Sequence, residues 1–160
     1  MAEDSTVDPH PHQHAMTEAL ARDESLGYQI NHLARLLAQA LAARIAPYGV
    51  VPGQFAQLLA LYEQDGLSQR ELCDRVGIEQ PTMANTLQRM QRDGLVRCVP
   101  DPSDRRRIRI YLTERARGLE VDLTNAARAV NAAATKNLTE SETTTYLHLT
   151  TRLIHSLETP

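Results

Sequence analysis

Between Ser68 and Leu112 the chain is punctuated so closely that few folds can accommodate it. Ser68-Gln69-Arg70-Glu71 has the capping-box spacing, in which the serine hydroxyl and the glutamate carboxylate each satisfy a free amide at a helix start. Leu72 and Val76 continue that helix, and Gly77 ends it, because glycine tolerates the positive φ by which a chain leaves a helix. After Ile78-Glu79-Gln80-Pro81 another helix runs to about Arg92, where Asp93-Gly94 stops it. Leu95–Val99 and Ile108–Leu112 then alternate as two short strands, separated by the polar stretch Pro100–Arg107. Helix, glycine turn, helix and a charged-tip hairpin outline a winged helix-turn-helix.

The flanks of this segment are helical. Leu26, Ile30, Leu33, Leu37, Leu41 and Ile45 recur at helical spacing, which predicts a long first helix ending before Tyr48-Gly49. Pro52 suits the opening turn of a second helix, whose Phe55, Leu58, Leu59 and Leu61 face a core. Thr113 to about Lys136 is a long alanine-rich helix, and Thr139-Glu140-Ser141-Glu142 caps a last one through Leu147, Leu153 and Leu157. The predicted fold class is therefore mainly α with a small β-hairpin wing. A winged helix-turn-helix lobe occupies 51–116, helical regions 23–50 and 117–160, and a flexible tail 1–22. Leu147, Leu153, Ile154 and Leu157, with the first helix, offer more apolar surface than a lone 17.9 kDa monomer readily covers, so a two-fold partner is expected.

The charge is uneven. The net charge of −3 would disfavour a polyanion partner, yet residues 1–25 hold six acidic side chains against Arg22 alone. Residues 80–109 hold seven arginines against three aspartates, so the positive field is concentrated on the helix-turn-helix and its hairpin. Along the fourth helix Met83, Leu87 and Met90 share one face, leaving Thr82, Asn85, Thr86 and Arg89 on the other. Arginine pairs with guanine, asparagine with adenine, and a threonine methyl touches a thymine methyl. The hairpin tip carries Arg105, Arg106 and Arg107 in succession, a self-repelling cluster that suits phosphates or a narrow minor groove. Asp104 is placed to hold one of them by a charge-assisted bond. Arg97, at the strand entrance, is expected to make a phosphate or structural contact.

Gln80-Pro81-Thr82, Asp93-Gly94-Leu95-Val96-Arg97 and Asp101-Pro102-Ser103-Asp104-Arg105-Arg106, followed by Leu112-Thr113, occur in an order that resembles the MarR family of transcriptional regulators over about residues 26–157. The resemblance implies a DNA-binding homodimer joined by its first and last helices. It implies that the fourth helix, opened by Gln80 and Pro81, enters the major groove. Arg106 would enter the minor groove, supported by Asp104. It also implies a pocket for small aromatic acids at the junction between the dimerisation helices and the DNA-binding lobe, and Tyr28, His32 and Arg35, spaced i, i+4 and i+7 on one side of the first helix, are the expected ligand-binding residues. Three positions depart from the family's pattern: Ser103 stands where arginine is common, Ala116 where glycine is usual, and Val51 where Ser or Thr caps the second helix. Ser103 is expected to weaken the wing's anchoring.

Other functions find less support. There is no nucleophile motif, phosphate loop or His-Glu-x-x-His, so the chain is not expected to be an enzyme or to need a cofactor. No apolar run approaches a membrane span, and no signal pattern opens the chain, which predicts a cytoplasmic protein. Cys73 and Cys98 fit a reducing compartment and small packing roles, so oxidation is not the expected switch. His10, His12 and His14 alternate in the tail at a spacing that suits a transition metal, but this composition predicts disorder. The alternative to a ligand-responsive repressor on a pseudo-palindromic operator is a winged-helix module whose basic wing docks an acidic protein.

Overall fold

The computed structural model describes residues 21–104 and 106–158. The tail histidines His10, His12 and His14, and Arg105 of the hairpin tip, lie outside the described residues. Helix α1 spans Leu26–Ile45 and passes into a short 3-10 turn, Ala46–Tyr48. There follow α2 (Pro52–Glu63), β1 (Leu67–Ser68), α3 (Gln69–Val76), α4 (Gln80–Arg92), β2 (Val96–Pro100), β3 (Ile108–Leu112), α5 (Glu114–Gly118), α6 (Glu120–Ala134) and α7 (Glu140–Glu158). The chain divides into two units within α1, between Leu33 and Ala34.

The core belongs to the larger unit and is built by every element from the end of α1 to α6. Ile45, Leu58 and Leu61 of the first two helices, Leu72 of α3, Met83 and Met90 of α4, Ile110 of β3 and Leu123 of α6 are all fully buried. Aliphatic and thioether side chains fill a space that Phe55 alone among phenylalanines shares, in keeping with the low aromatic content. The capping boxes form as the spacing predicts. Ser68 Oγ accepts from the Glu71 amide at 3.3 Å while the Glu71 carboxylate accepts from the Ser68 amide at 2.7 Å. Thr139 and Glu142 repeat the exchange at the start of α7. Val51 has no side-chain acceptor to cap α2, so the Gln54 amide donates to the Val51 backbone carbonyl at 2.9 Å, while the Gln54 side chain supplies the other half of the exchange, its Oε1 accepting from the Val51 amide at 3.3 Å.

Two elements differ from the sequence expectation. The hairpin is part of a three-stranded antiparallel sheet of order β1-β3-β2, with Leu67 opposite Ile110 and Ser68 opposite Arg109. Two residues are too few to show a period of two, so β1 has no sequence signature. The predicted helix from Thr113 to Lys136 is broken at Leu119. The Ala116 carbonyl there accepts from the Leu119 amide at 3.2 Å and from the Tyr62 hydroxyl at 2.7 Å, closing α5 with a tight turn just after Gly118. Burial, with Glu120 nearby, pushes the Tyr62 phenol up to about 12, so it stays a donor.

Gly66 is where β1 approaches β3, with its amide donating to the Ile110 carbonyl at 3.0 Å. Its φ is +76°, and an added Cβ would stand 2.8 Å from Cε1 of Tyr111. Gly66→Ala should therefore destabilise the fold by about 2 kcal/mol, from left-handed backbone strain and displacement of the Tyr111 ring. Urea denaturation checks this: an unchanged midpoint would mean that the turn tolerates a side chain.

Candidate nucleic-acid interface

α4 places its side chains as its periodicity requires. Met83, Leu87 and Met90 are buried, whereas Gln80, Pro81, Thr82, Asn85 and Arg89 are exposed. Gln88, one turn beyond Asn85 on the same exposed line, joins this face although the sequence reading passed over it. Thr86 sits at its edge, half-buried, and its hydroxyl donates back to the Thr82 carbonyl at 3.0 Å. The helix begins with Pro81 in its first turn, and a second tie holds that end. The Gln69 side chain of α3 reaches the Gln80 carboxamide at 2.8 Å.

The hairpin tip is shaped by two aspartates. Asp104 Oδ1 accepts from the Arg106 amide at 3.0 Å, and its backbone carbonyl accepts from the Arg107 amide at 2.8 Å. Its other carboxylate oxygen pairs with the Arg107 guanidinium at 3.5 Å. Asp104 thus supports Arg106 through the backbone and spends its ion pair on Arg107. Arg106 is exposed, and among the described residues its guanidinium has no ion-pair partner. Arg97 lies 4.8 Å over the ring of Tyr111, its cross-strand neighbour.

Asp101 anchors the base of the wing. One oxygen accepts from the Ser103 amide at 2.8 Å and the Ser103 hydroxyl at 2.6 Å, and the other takes Nε of Arg109 at 2.6 Å. Ser103, expected to weaken the wing, instead closes its turn. Arg109 continues inward, its Nη1 donating to the Gly66 carbonyl at 3.1 Å and reaching Glu71 at 3.5 Å. Sequence reading counted Arg109 only as charge. Its strand position opposite Ser68, the cap of α3, is what gives it a fixed role.

The remaining predicted residues do not join this surface. In the smaller unit, the Tyr28 and His32 rings are 6.0 Å apart and tilted by 57°. Arg35 is exposed on the part of α1 belonging to the larger unit. Within the larger unit, Leu37, Leu41, Phe55, Leu59 and Val130 line an apolar groove of about 390 Å³ that contains none of the three. Cys73 is buried and Cys98 half-buried, and burial pushes both thiols up. No described helix is long and apolar enough to cross a membrane.

A sequence model of the MarR family matches residues 48–107. The HTH-type transcriptional repressor NicR of Pseudomonas putida is 30% identical over 134 residues, covering 81% of this chain and 85% of NicR. The HTH-type transcriptional regulator TtmR of Methylorubrum extorquens is 31% identical over 98 residues, 61% of this chain and half of TtmR's length. Among solved structures, the transcriptional repressor CouR bound to a 23-mer DNA duplex superposes with a TM-score of 0.71 at 26% identity, over 82% of this chain and 94% of CouR.

The wing anchor has a defined acid response. Hydrogen bonds from Ser103, then the Arg109 guanidinium, hold the Asp101 carboxyl well below the usual carboxylate range, and the Ser68 cap lowers Glu71. A depressed carboxylate contributes its stabilisation fully above its unfolded value and loses it as pH falls through the folded one. Protection of the Asp101, Ser103, Arg106 and Arg107 amides should therefore be flat from pH 7 down to about pH 5 and be lost only in stronger acid. Asp101→Asn should lower that protection several-fold at neutral pH without unfolding the lobe. Equal protection in the variant would show that the turn holds without its ion pair.

Proposed function

The chain belongs to the MarR family of transcriptional regulators, and we propose that it is a repressor gripping a pseudo-palindromic operator as a homodimer. α4 would lie in the major groove, with Gln80, Pro81, Thr82, Asn85, Thr86 and Arg89 toward the bases. The wing would place Arg106 in the minor groove, with Arg105 and Arg107 on the flanking phosphates. The observation that carries this reading is the exposed polar face of α4 beside a wing whose Arg106 is exposed and unpaired among the described residues. An unpaired surface guanidinium on an anchored loop suits an external anion.

Arg97 takes a structural part, since its guanidinium rests on Tyr111. The dimer reading is supported by α7, which buries none of its residues and exposes Leu147, Leu153, Ile154 and Leu157. Within the smaller unit Leu26 and Ile30 are likewise exposed. A two-fold assembly would set the two α4 helices about one turn of duplex apart, roughly 34 Å. The repressor role follows the names of NicR and CouR, and the DNA partner the duplex bound to CouR. An aromatic-acid effector rests on the spacing of Tyr28, His32 and Arg35 along the first helix. A regulator of this kind would act on DNA in the cytoplasm.

Arg106→Ala should weaken binding to a duplex selected by the wild type by about 1–3 kcal/mol, measured by fluorescence anisotropy at fixed moderate salt. Asn85→Ala and Arg89→Ala should instead relax the ranking of duplex variants. Undiminished affinity in Arg106→Ala would rule out the minor-groove placement. Sedimentation provides a separate check on assembly, because Leu153→Arg with Ile154→Arg should shift the protein to monomer and abolish tight operator binding. A dimer that persists in this double variant would put the interface elsewhere.

A further inference from the structure

Gln69 is the first residue of α3 and Gln80 the first of α4, and their carboxamides meet. Gln69 Nε2 lies 2.8 Å from Gln80 Oε1 and 3.4 Å from the Gln80 backbone carbonyl oxygen. The second contact decides the chemistry. The oxygen and nitrogen of a carboxamide are alike in shape, so its orientation follows from its partners. A backbone carbonyl can only accept, so the Gln69 atom facing it is the nitrogen. The Gln80 atom facing that same nitrogen must then be oxygen. Gln80 therefore turns its own NH₂ away from Gln69, on an exposed residue at the opening of the base-reading helix.

We propose that Gln69 is a positioning residue for sequence recognition, holding the Gln80 carboxamide with its donor outward so that Gln80 selects an acceptor edge in the major groove. This rests on the placement of α4 proposed above. An unrestrained glutamine takes adenine with two bonds, its oxygen to N6 and its nitrogen to N7. With Oε1 engaged by Gln69, that two-point contact is weakened. The outward NH₂ meets guanine, which offers N7 and O6 as adjacent acceptors, and after it thymine O4. Cytosine, which presents only the N4 donor, is rejected.

The test is selection from a pool of duplexes with a randomised stretch, using full-length wild type, Gln80→Ala, Gln69→Ala and Gln69→Glu, with each variant's melting followed alongside. Gln80→Ala should flatten one position per half-site, identifying the base read by Gln80. At that position the wild type should favour guanine over cytosine by roughly tenfold. Gln69→Ala releases Oε1 and should raise adenine relative to guanine several-fold. Gln69→Glu can only accept, so it should draw the Gln80 nitrogen inward and turn the oxygen outward. Preference would then shift toward cytosine and adenine, on top of a loss of affinity shared by all sequences. A purely structural tie would give only that shared loss. The inference is overturned if both Gln69 variants keep the wild-type base ranking at the Gln80-dependent position, or if Gln80→Ala flattens no position. Failure of the wild type to enrich any sequence is a different result and overturns the placement of α4 together with the inference.

Discussion

The recognition lobe depends on one guanidinium. Arg109 stands in the central strand of the sheet, and its donors reach the wing through Asp101, the β1 turn through the Gly66 carbonyl, and the α3 cap through Glu71. These three acceptors come from two stretches of chain, Gly66–Glu71 and the wing at Asp101. A planar, fixed-fork cation can satisfy them together, whereas an ammonium on a flexible stem would do so less well. The wing is therefore fastened to the same helix start whose first residue touches α4, and the wing and α4 share one frame.

Much of this architecture was legible in the sequence because it depends on local chemistry. The capping boxes at Ser68 and Thr139, the stop at Gly77 and the buried stripe Met83–Leu87–Met90 follow from spacing alone, and each forms as expected. What was not legible depends on partners distant in the chain. The two-residue strand β1 exists because β3 lies beside it, and the break at Leu119 accompanies the bond from Tyr62, 54 residues from Ala116. The clamp at Arg109 likewise joins residues 38 and 43 positions away. Ser103 shows the same limit from the other side, since only the geometry of the turn reveals that its hydroxyl completes the shell of Asp101.

The charge pattern makes sense in this frame. Arg109, Arg115 and Arg117 are committed internally, Arg115 to the carbonyls of Tyr48 and Asp93 and Arg117 to Asp65 at 2.6 Å. Between residues 80 and 109, Arg109 pairs with Asp101 and Arg107 with Asp104, so fewer of the seven guanidinium groups stand free than the sequence count suggests. Arg89 and Arg106 are exposed and have no ion-pair partner among the described residues, which leaves their charge facing solvent.

The side chains of Asn85, Gln88 and Arg89 make no hydrogen bond to the body of the protein among the described residues, so the fold places almost no demand on their identity. Over evolutionary time such positions can be exchanged one at a time, letting a lineage move to a new target sequence without passing through unstable intermediates. Gln80 is less free. Its carboxamide is tied to a neighbouring helix, and a replacement there would take from the Gln69 amide the nearer of its two acceptors, so drift at this corner should proceed by paired changes, more slowly than along the rest of the helix.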